Sequence, residues 1–398
     1  MTTSFFRFSL RTDIYSGSGA RTMLPELIRG LGGRRAVLFT DKGVTKAGVT
    51  DQINIIFEQV AGPVQLAGVF DEIVQDAKAS IVNQAAQFVK TCNADTLIAL
   101  GGGSVLDTVK GVKWLLHKGQ PDIRNILQDN VLENWPEAGP IPITHIAIPT
   151  TAGTGSEISP IAVIFNEQLQ LKTNLIHPFI SADVAILDPE LTVHLPPRIT
   201  AFTGFDALTH AVEAYFSPKA NPMTDAFALH SIRLIIDNLP NAVTRGDHLE
   251  SRAQMLIASS MAIAAFTLSM AVIPVHNFAH VFGAKFGIPH GLANAVLLPN
   301  VMAGLPDLYL PRIQDFVRLL GIAVPSQDAE ACLSRFVQFI RDFRKNVGLP
   351  DTFAEFKLNG DQLQGLVSRV QTDPAGIAYR IPEQVIVKVI KEVSGLDR

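Results

Sequence analysis

The residues best able to do chemistry lie in the second half of the chain. In GFDALTHAVEAY, Asp206 and His210 are four positions apart, which on a helix sets a carboxylate and an imidazole on one face. Further on, VHNFAHVFGAKFGIPHGLANA carries His276, His280 and His290, three of the chain's 10 histidines, with His276 and His280 again one turn apart. A single histidine on an apolar helix is ordinarily a core or surface residue. Two such pairs and a further histidine in surroundings this apolar are harder to explain one by one. Burying those imidazoles and that carboxylate unpaired would cost several kcal/mol. A metal ion would satisfy them together. Imidazoles with one carboxylate and no thiolate suit Zn²⁺, Fe²⁺, Co²⁺ or Mn²⁺. A catalytic role fits better than a structural one, which cysteines usually fill.

Three places in the first half suit a phosphate-bearing ligand. Gly101-Gly102-Gly103-Ser104 follow the apolar run TLIAL and open a helix reading VLDTVKGVKWLL. Glycines let a backbone approach a ligand closely, and free N–H groups at a helix start attract anions; a tight strand-to-helix turn is the plainer alternative. The loop Pro149-Thr150-Thr151-Ala152-Gly153-Thr154-Gly155-Ser156-Glu157 follows HIAI, at the strand end where open α/β sheets bind ligands, although its hydroxyls could equally bond their own backbone. Asp41 ends AVLFT, where an acid takes the ribose 2′-hydroxyl in dinucleotide-binding sheets. Here the acid precedes the glycines, reversing the usual order, so a plain turn is the alternative.

These side chains need a scaffold, and the chain changes texture midway. Over residues 1–190, short β-branched runs (RRAVLFTD, PVQLAGVFD, DTLIALGGGS, THIAIPTTAG) alternate with helical patterns, which predicts βαβ units and a parallel sheet covered on both faces. IAVIFNEQLQLKTN reads as a hairpin, and ADVAILDPEL as a last strand ended by Pro189. Over residues 191–398 apolar residues recur at three- and four-residue spacing and no strand is expected, so this half should be all-helical. A small-molecule site is expected in the cleft between the two domains.

Composition excludes several functions. With a formal net charge of -4, 18% charged residues, a pI near 6.2 and a mean hydropathy of +0.24, the chain has neither a footprint for nucleic acid nor the makeup of a disordered protein. No segment reads as a signal peptide or a transmembrane helix. Cys92 and Cys332, far apart, predict no disulfide. The expected partners are a small molecule and no membrane or nucleic acid, and the expected location is cytoplasmic.

Taken together, YSGSG, LFTDKGV, GGGSVLDTVKG, PTTAGTGSE, DVAILDPELT, the D-x3-H of GFDALTHAVEAY and the H-x3-H-x9-H of VHNFAHVFGAKFGIPHG resemble an iron-containing (group III) alcohol dehydrogenase over nearly the whole length. The resemblance implies a Rossmann-like dinucleotide-binding α/β domain with a parallel sheet, and an all-α C-terminal domain, a plan shared with dehydroquinate synthase. It implies Asp206, His210, His276 and His290 as metal ligands, and His280 as a histidine near the reacting carbon. It further implies Gly101, Gly102, Gly103 and Ser104 as the pyrophosphate loop, Thr150, Thr151 and Thr154 on the nicotinamide side, and Asp41 as the ribose-selecting acid. Lys172 completes the cofactor-binding set. The implied cofactors are NAD(H) and a divalent metal, Fe²⁺ foremost with Zn²⁺ or Mn²⁺ as alternatives, in a homodimer or higher homo-oligomer.

Two segments depart from the family pattern. AFTLSMAVIPVH, with Phe266, Leu268, Met270 and Pro274, stands where SNAGLGLVH is frequent, and Ala378-Tyr379-Arg380-Ile381 stands where Asn-Pro-Arg is frequent. The expected reaction is reversible, metal-assisted hydride transfer between NAD(H) and a short alcohol or aldehyde. Arg380 is a candidate for holding an anionic tail, with a surface arginine as the alternative. The competing function is a dehydroquinate synthase-like lyase that uses NAD and metal without net redox.

Overall fold

The computed structural model describes residues 5–59, 62–324, 328–358, 363, 365–376 and 378–395. Its first half runs β1 (Asp13–Ser16), α1 (Leu24–Gly30), β2 (Arg35–Asp41), α2 (Lys42–Lys46), α3 (Val49–Gln59), β3 (Gln65–Ile73), α4 (Ala79–Thr91), β4 (Thr96–Gly101) and α5 (Gly103–Lys118). It continues through β5 (Val131–Leu132), β6 (Thr144–Pro149), β7 (Ile161–Asn166), β8 (Leu171–Ile176) and β9 (Val184–Leu187). Six strands form a parallel sheet in the order β1-β9-β6-β4-β2-β3.

Alternate side chains of the central strands feed two separate cores. Val37, Phe39, Leu97, Ala99 and Ala147 pack with the inward faces of α4 and α5, Val82, Val89, Val105 and Val109 among them. Their neighbours Ala36, Leu38, Ile98, Leu100, Ile146 and Ile148 pack with Leu24 and Ile28 of α1 and Ile53 and Ile56 of α3. A strand buried on both faces is apolar at nearly every position, which is why these segments read as near-continuous hydrophobic runs. The expected hairpin is β7–β8, paired antiparallel from Ile161↔Ile176 to Asn166↔Leu171 in a small second sheet.

From β2 the chain steps outward to the edge strand β3, then returns past β2 to β4, and β6 and β9 follow on that side. The winding therefore reverses between β2 and β4, whose carboxyl ends are Asp41 and Gly101. Doubly wound sheets bind ligands at such a reversal. Thr40 Oγ donates to the Leu100 carbonyl at 2.8 Å, fixing the two strand ends side by side.

Beyond β9 come α6 (Pro197–Phe216), α7 (Pro222–Thr244), α8 (Leu249–Ser269), α9 (Pro274–Phe286), α10 (His290–Gly304), α11 (Pro306–Leu319), α12 (Ala329–Asn346) and the helices Leu366–Thr372 and Glu383–Ser394, with no strand among the described residues. Proline stands in the first turn of α6, α7, α9 and α11, where its missing N–H costs nothing. Helices α6 and α10 are buried on nearly every side, as sequences apolar around most of the helix require, and the few polar side chains they carry are buried with them. No single described helix is long and apolar enough to cross a membrane; α8 and α9 pass that test only as a pair bent by 108°.

The chain forms two compact units. One is Ser9–Leu195 with Asp247–Ser260; the other is Pro196–Gly246 and the chain from Met261 on, with the stretch ending at Phe8. The first part of α8 thus belongs with the α/β unit. There Ser260 donates to the buried Glu157 at 2.6 Å and Arg252 reaches the Leu195 carbonyl at 3.3 Å. These are long-range contacts that helical periodicity does not register.

Within the α/β unit, His145 of β6 is fully buried, and neither ring nitrogen reaches full hydrogen-bonding geometry with any described residue. Burial, followed by the nearby Lys113 and Lys110 ammonium groups, pushes its pKa well below the usual 6.5, and the Ile180 backbone offsets this only in part. The folded protein therefore binds fewer protons than the unfolded chain once the pH falls below about 6.5. This contribution to stability is intact above that pH and is lost below it at up to about 1.4 kcal/mol per pH unit. His145→Phe should flatten the acid limb of stability between pH 6.5 and 5, as measured by urea unfolding; an acid limb as steep as in the wild type would refute the assignment.

Candidate functional site

Three helices of the second unit converge on one polar point. Helix α6 carries Asp206, His210 and Glu213, α9 carries His276 and His280, and α10 opens with His290 and carries Asn294 one turn later. One ligand atom each from Asp206, His276 and His290 lies within 4.8 Å of the other two. Asp206 Oδ1 is 3.8 Å from His276 Nε2 and 3.4 Å from His290 Nε2. His210 is outside that triple; its ring stacks on His276 with centroids 4.6 Å apart. The His280 ring stacks on His290 at 5.6 Å, and His280 Nδ1 lies 3.4 Å from Asp373 Oδ1.

Close helix packing makes this convergence possible. A Cβ on Gly291 would stand 2.8 Å from the Phe202 carbonyl carbon and closer still to its oxygen. Only a residue without a side chain lets the start of α10 lie against α6, and that contact sets His290 beside Asp206. Asn294 then projects among the ligand atoms, its Nδ2 donating to Asp206 Oδ1 at 2.6 Å and standing 3.2 Å from His290 Nε2 and 3.4 Å from His276 Nε2.

The site is dry. Asp206 and His276 are 2% and 3% exposed, and the Phe266 ring packs against the rings of His210 and His276 at 4.8 and 4.9 Å. Burial, and then the neighbouring His210, His290 and His280, hold His276 well below the usual imidazole range. Its neutral form, which carries the free lone pair, is thereby favoured. Without a cation, burial likewise pushes the Glu213 carboxyl well above its usual range, opposed by N–H donors from Val275 and His276 and reinforced by Asp206; a divalent cation beside it would favour the carboxylate. The Asn294 Oδ1 is buried and has no hydrogen-bond partner among the described residues. A buried carboxylate facing imidazole nitrogens, with an orphaned amide oxygen beside it, fits a divalent cation by charge and by donor type.

The remaining predicted residues sit in the α/β unit. Gly101 ends β4, Gly102 caps α5 and Gly103 begins it. A Cβ on Gly103 would stand 2.8 Å from Thr154 Cγ, and one on Gly101 2.6 Å from Val105. The Thr150 N–H donates to the Gly101 carbonyl at 3.0 Å. The glycine run and the threonine loop are therefore one continuous surface at the neighbouring ends of β4 and β6. Lys172 of β8 pairs at 2.6 Å with Asp76, whose N–H donates to Ser104 Oγ at 3.1 Å, so Lys172 is tied to the same loop through Asp76. Asp41 caps α2, its Oδ1 accepting from Gly43 at 2.7 Å and Val44 at 3.0 Å, while Lys42 pairs with Glu72 at 2.8 Å.

Sequence reasoning passed over several of these partners. Glu213 lay within a quoted motif, three residues after His210, and that spacing was the available signal. Asn294 and Asp373 carry no local signal, because their roles depend on how helices pack. Beneath the glycine loop, the buried Lys110 ammonium donates to Ser156 Oγ and the Ile161 carbonyl, both at 2.6 Å, with Asp107 at 3.5 Å. Arg380 is exposed and lies 3.4 Å from the side chain of Gln371.

Comparison with known proteins gives a consistent result. The family model described as iron-containing alcohol dehydrogenase matches residues 11–189, and that described as its C-terminal domain matches residues 200–393. Long-chain-alcohol dehydrogenase 1 of Geobacillus thermodenitrificans is 36% identical over 352 residues, covering 88% of this chain and 86% of that protein. An NAD-dependent methanol dehydrogenase of Bacillus methanolicus is 32% identical, covering 90% of this chain and 91% of its own. Among solved structures, a 1,3-propanediol oxidoreductase superposes with a TM-score of 0.88 at 30% identity over 98% of this chain and 99% of the other.

The Gly291 contact yields a test. Gly291→Ala should force α10 away from α6, lowering stability by about 1–3 kcal/mol, the usual cost of overpacking, and weakening uptake of divalent metal. Chemical denaturation and metal analysis of the purified variant would measure both, and wild-type values in the two would show that the packing has slack.

Proposed function

The chain belongs to the iron-containing alcohol dehydrogenase family, and from that premise we propose that Asp206, His276 and His290, with His210 as the fourth ligand, hold the divalent cation of its active site. It is an NAD-dependent oxidoreductase of alcohols and aldehydes. The observation that carries the metal assignment is the convergence of three ligand atoms within 4.8 Å, those of Asp206 and His276 on buried residues and that of His290 at the more open side. Fe²⁺ is the cation we assign, and Zn²⁺ or Mn²⁺ would be held by the same donors. When bound, it supplies Lewis acidity, which makes an alcohol hydroxyl far more acidic or polarises an aldehyde carbonyl.

The chain's own residues do the rest. Phe266 keeps water from the faces of two imidazoles. His280, outside the ligand set and with Nδ1 turned to Asp373, carries the proton of the alcohol to and from solvent. The loop Gly101–Ser104, with Thr150, Thr151 and Thr154, holds the dinucleotide; Lys172 orders that loop through Asp76, and Asp41 faces the ribose. These residues form two functional sets, the cofactor set from Asp41 to Lys172 within residues 1–190 and the metal and substrate set within 191–398. The lyase alternative is not favoured, since the matching relatives are alcohol dehydrogenases.

Substrate size does not come with the family, because the relatives include a long-chain-alcohol and a methanol dehydrogenase. Phe266, against the ligand rings, favours a short chain here. The exposure of Arg380 makes it a poor anchor for an anionic tail. A homo-oligomer and a cytoplasmic location complete the reading; Cys92 and Cys332 are both free thiols.

Two experiments test it. Chelation should abolish NADH-linked turnover on a panel of short aldehydes without collapsing far-UV circular dichroism, and Fe²⁺, Zn²⁺ or Mn²⁺ should restore it to different degrees. In the same assay His280→Ala should keep its metal while losing about 10²–10⁴-fold in turnover. Loss of metal from that variant would move His280 into the ligand set. For the cofactor, NAD(H) should be preferred over NADP(H) by at least about tenfold in kcat/KM, since only about 1.4 kcal/mol of charge repulsion at Asp41 is needed. Asp41→Asn is the sharper variant, because asparagine caps a helix as well as aspartate does and removes the charge alone. Its NADP(H) use should rise with NAD(H) use nearly constant; no change would place the 2′-position elsewhere.

A further inference from the structure

Asp206, His210 and Glu213 follow one another along one face of α6. The first two are in the proposed ligand set, and the third has no part in the mechanism above. Glu213 is 2% exposed, and both of its oxygens are engaged with α9. Oε1 accepts the Val275 N–H at 2.7 Å, and Oε2 is hydrogen-bonded to His276 Nδ1. The other nitrogen of that ring, Nε2, faces Asp206 Oδ1 at 3.8 Å. A neutral imidazole carries one proton, so the partner of one nitrogen determines which nitrogen keeps its lone pair.

We propose that Glu213 is the positioning residue of the metal centre: by accepting from Nδ1 it holds His276 in the tautomer whose Nε2 lone pair points at Asp206 and His290, and so sets the affinity of the site for a divalent cation. This rests on the metal-dependent reading given above. The bond to Val275 matters as much as the bond to the ring. Val275 stands in the first turn of α9, where N–H groups lack helical acceptors, so the carboxylate is clamped at one oxygen while the other takes the imidazole.

Glutamine has the same volume but one acceptor. If its oxygen keeps Val275, its NH₂ group faces Nδ1 and donates to it, which moves the ring proton to Nε2 and points an N–H at the metal position. If it turns over, the NH₂ meets the Val275 N–H in a buried space, donor against donor. A residue that only tied α6 to α9 would, on the same change, lose stability and leave metal affinity alone.

The test compares wild type with Glu213→Gln, both stripped of metal, by Zn²⁺ titration against a competing chelator, thermal unfolding of the metal-free proteins, and imidazole ¹⁵N spectra of the Zn²⁺-loaded forms. The Zn²⁺ dissociation constant should rise about 10–100-fold, the usual effect of losing a partner behind a metal-binding histidine, with metal-free unfolding close to wild type. The wild-type spectrum should hold a far-downfield Nδ1–H that the variant lacks. If Glu213→Gln does not fold, Glu213→Asp, which withdraws the acceptor by one methylene, should still weaken Zn²⁺ binding several-fold. Equal Zn²⁺ affinity in wild type and a folded variant overturns this proposal alone. A wild type that takes up no Zn²⁺ overturns the metal-dependent reading and this proposal with it.

Discussion

Asp206 is a buried carboxylate whose ion-pair partners are imidazoles, and much of the helical unit follows from keeping it there. Removing a carboxylate from water is costly unless donors or a cation replace the lost hydration. Its Oδ1 receives Asn294 Nδ2 at 2.6 Å and faces two ring nitrogens, which requires α9 and α10 to deliver side chains to the same point on α6. The glycine at 291 and the predominantly apolar surfaces of α6 and α10 are the means of that approach. The proline-led start of α9 fixes where His276 begins its turn. The apolar packing that surrounds the point also strengthens each polar interaction within it, since water is excluded.

The α/β unit is organised around a different constraint, the winding reversal between β2 and β4. A sheet buried on both faces offers a ligand only its ends, and at the reversal the loops diverge and leave room. The glycine run and the threonine loop meet there because Gly103 lies against Thr154. Under them the buried Lys110 ammonium is held by Ser156 and the Ile161 carbonyl, with burial lowering its pKa and Asp107 and Glu157 raising it. That network fastens α5 to the threonine loop and to β7, so the loop surface rests on a satisfied polar layer.

How much of this could be read in advance depends on the range of the determining contact. Strands β2, β4 and β6 were legible because double burial makes nearly every position apolar, and the hairpin because β7 and β8 are close in sequence. Asp206, His210, His276 and His280 were legible because one helical turn is a local relation. Asn294, Asp373 and the first part of α8 were not, since their placement comes from contacts between elements distant in sequence. Asp41 was found at the right strand end, but its capping of α2 went unseen: the short helix Lys42–Lys46 has no apolar periodicity to announce it.

Buried polar contacts and apolar ones constrain a sequence differently. Asp206, Glu213, His276 and Asn294 each touch at least one of the others, so a change at any of them leaves a buried polar atom unpaired. Phe266 is bound by no such rule, as an apolar group can be exchanged for another at the cost of volume alone. Yet its ring lies 4.8 Å from His210 and 4.9 Å from His276, so one apolar side chain helps set the angles at which two imidazoles stand. A smaller residue at 266 would therefore cost more than its volume, because it would free the rings that Phe266 now holds.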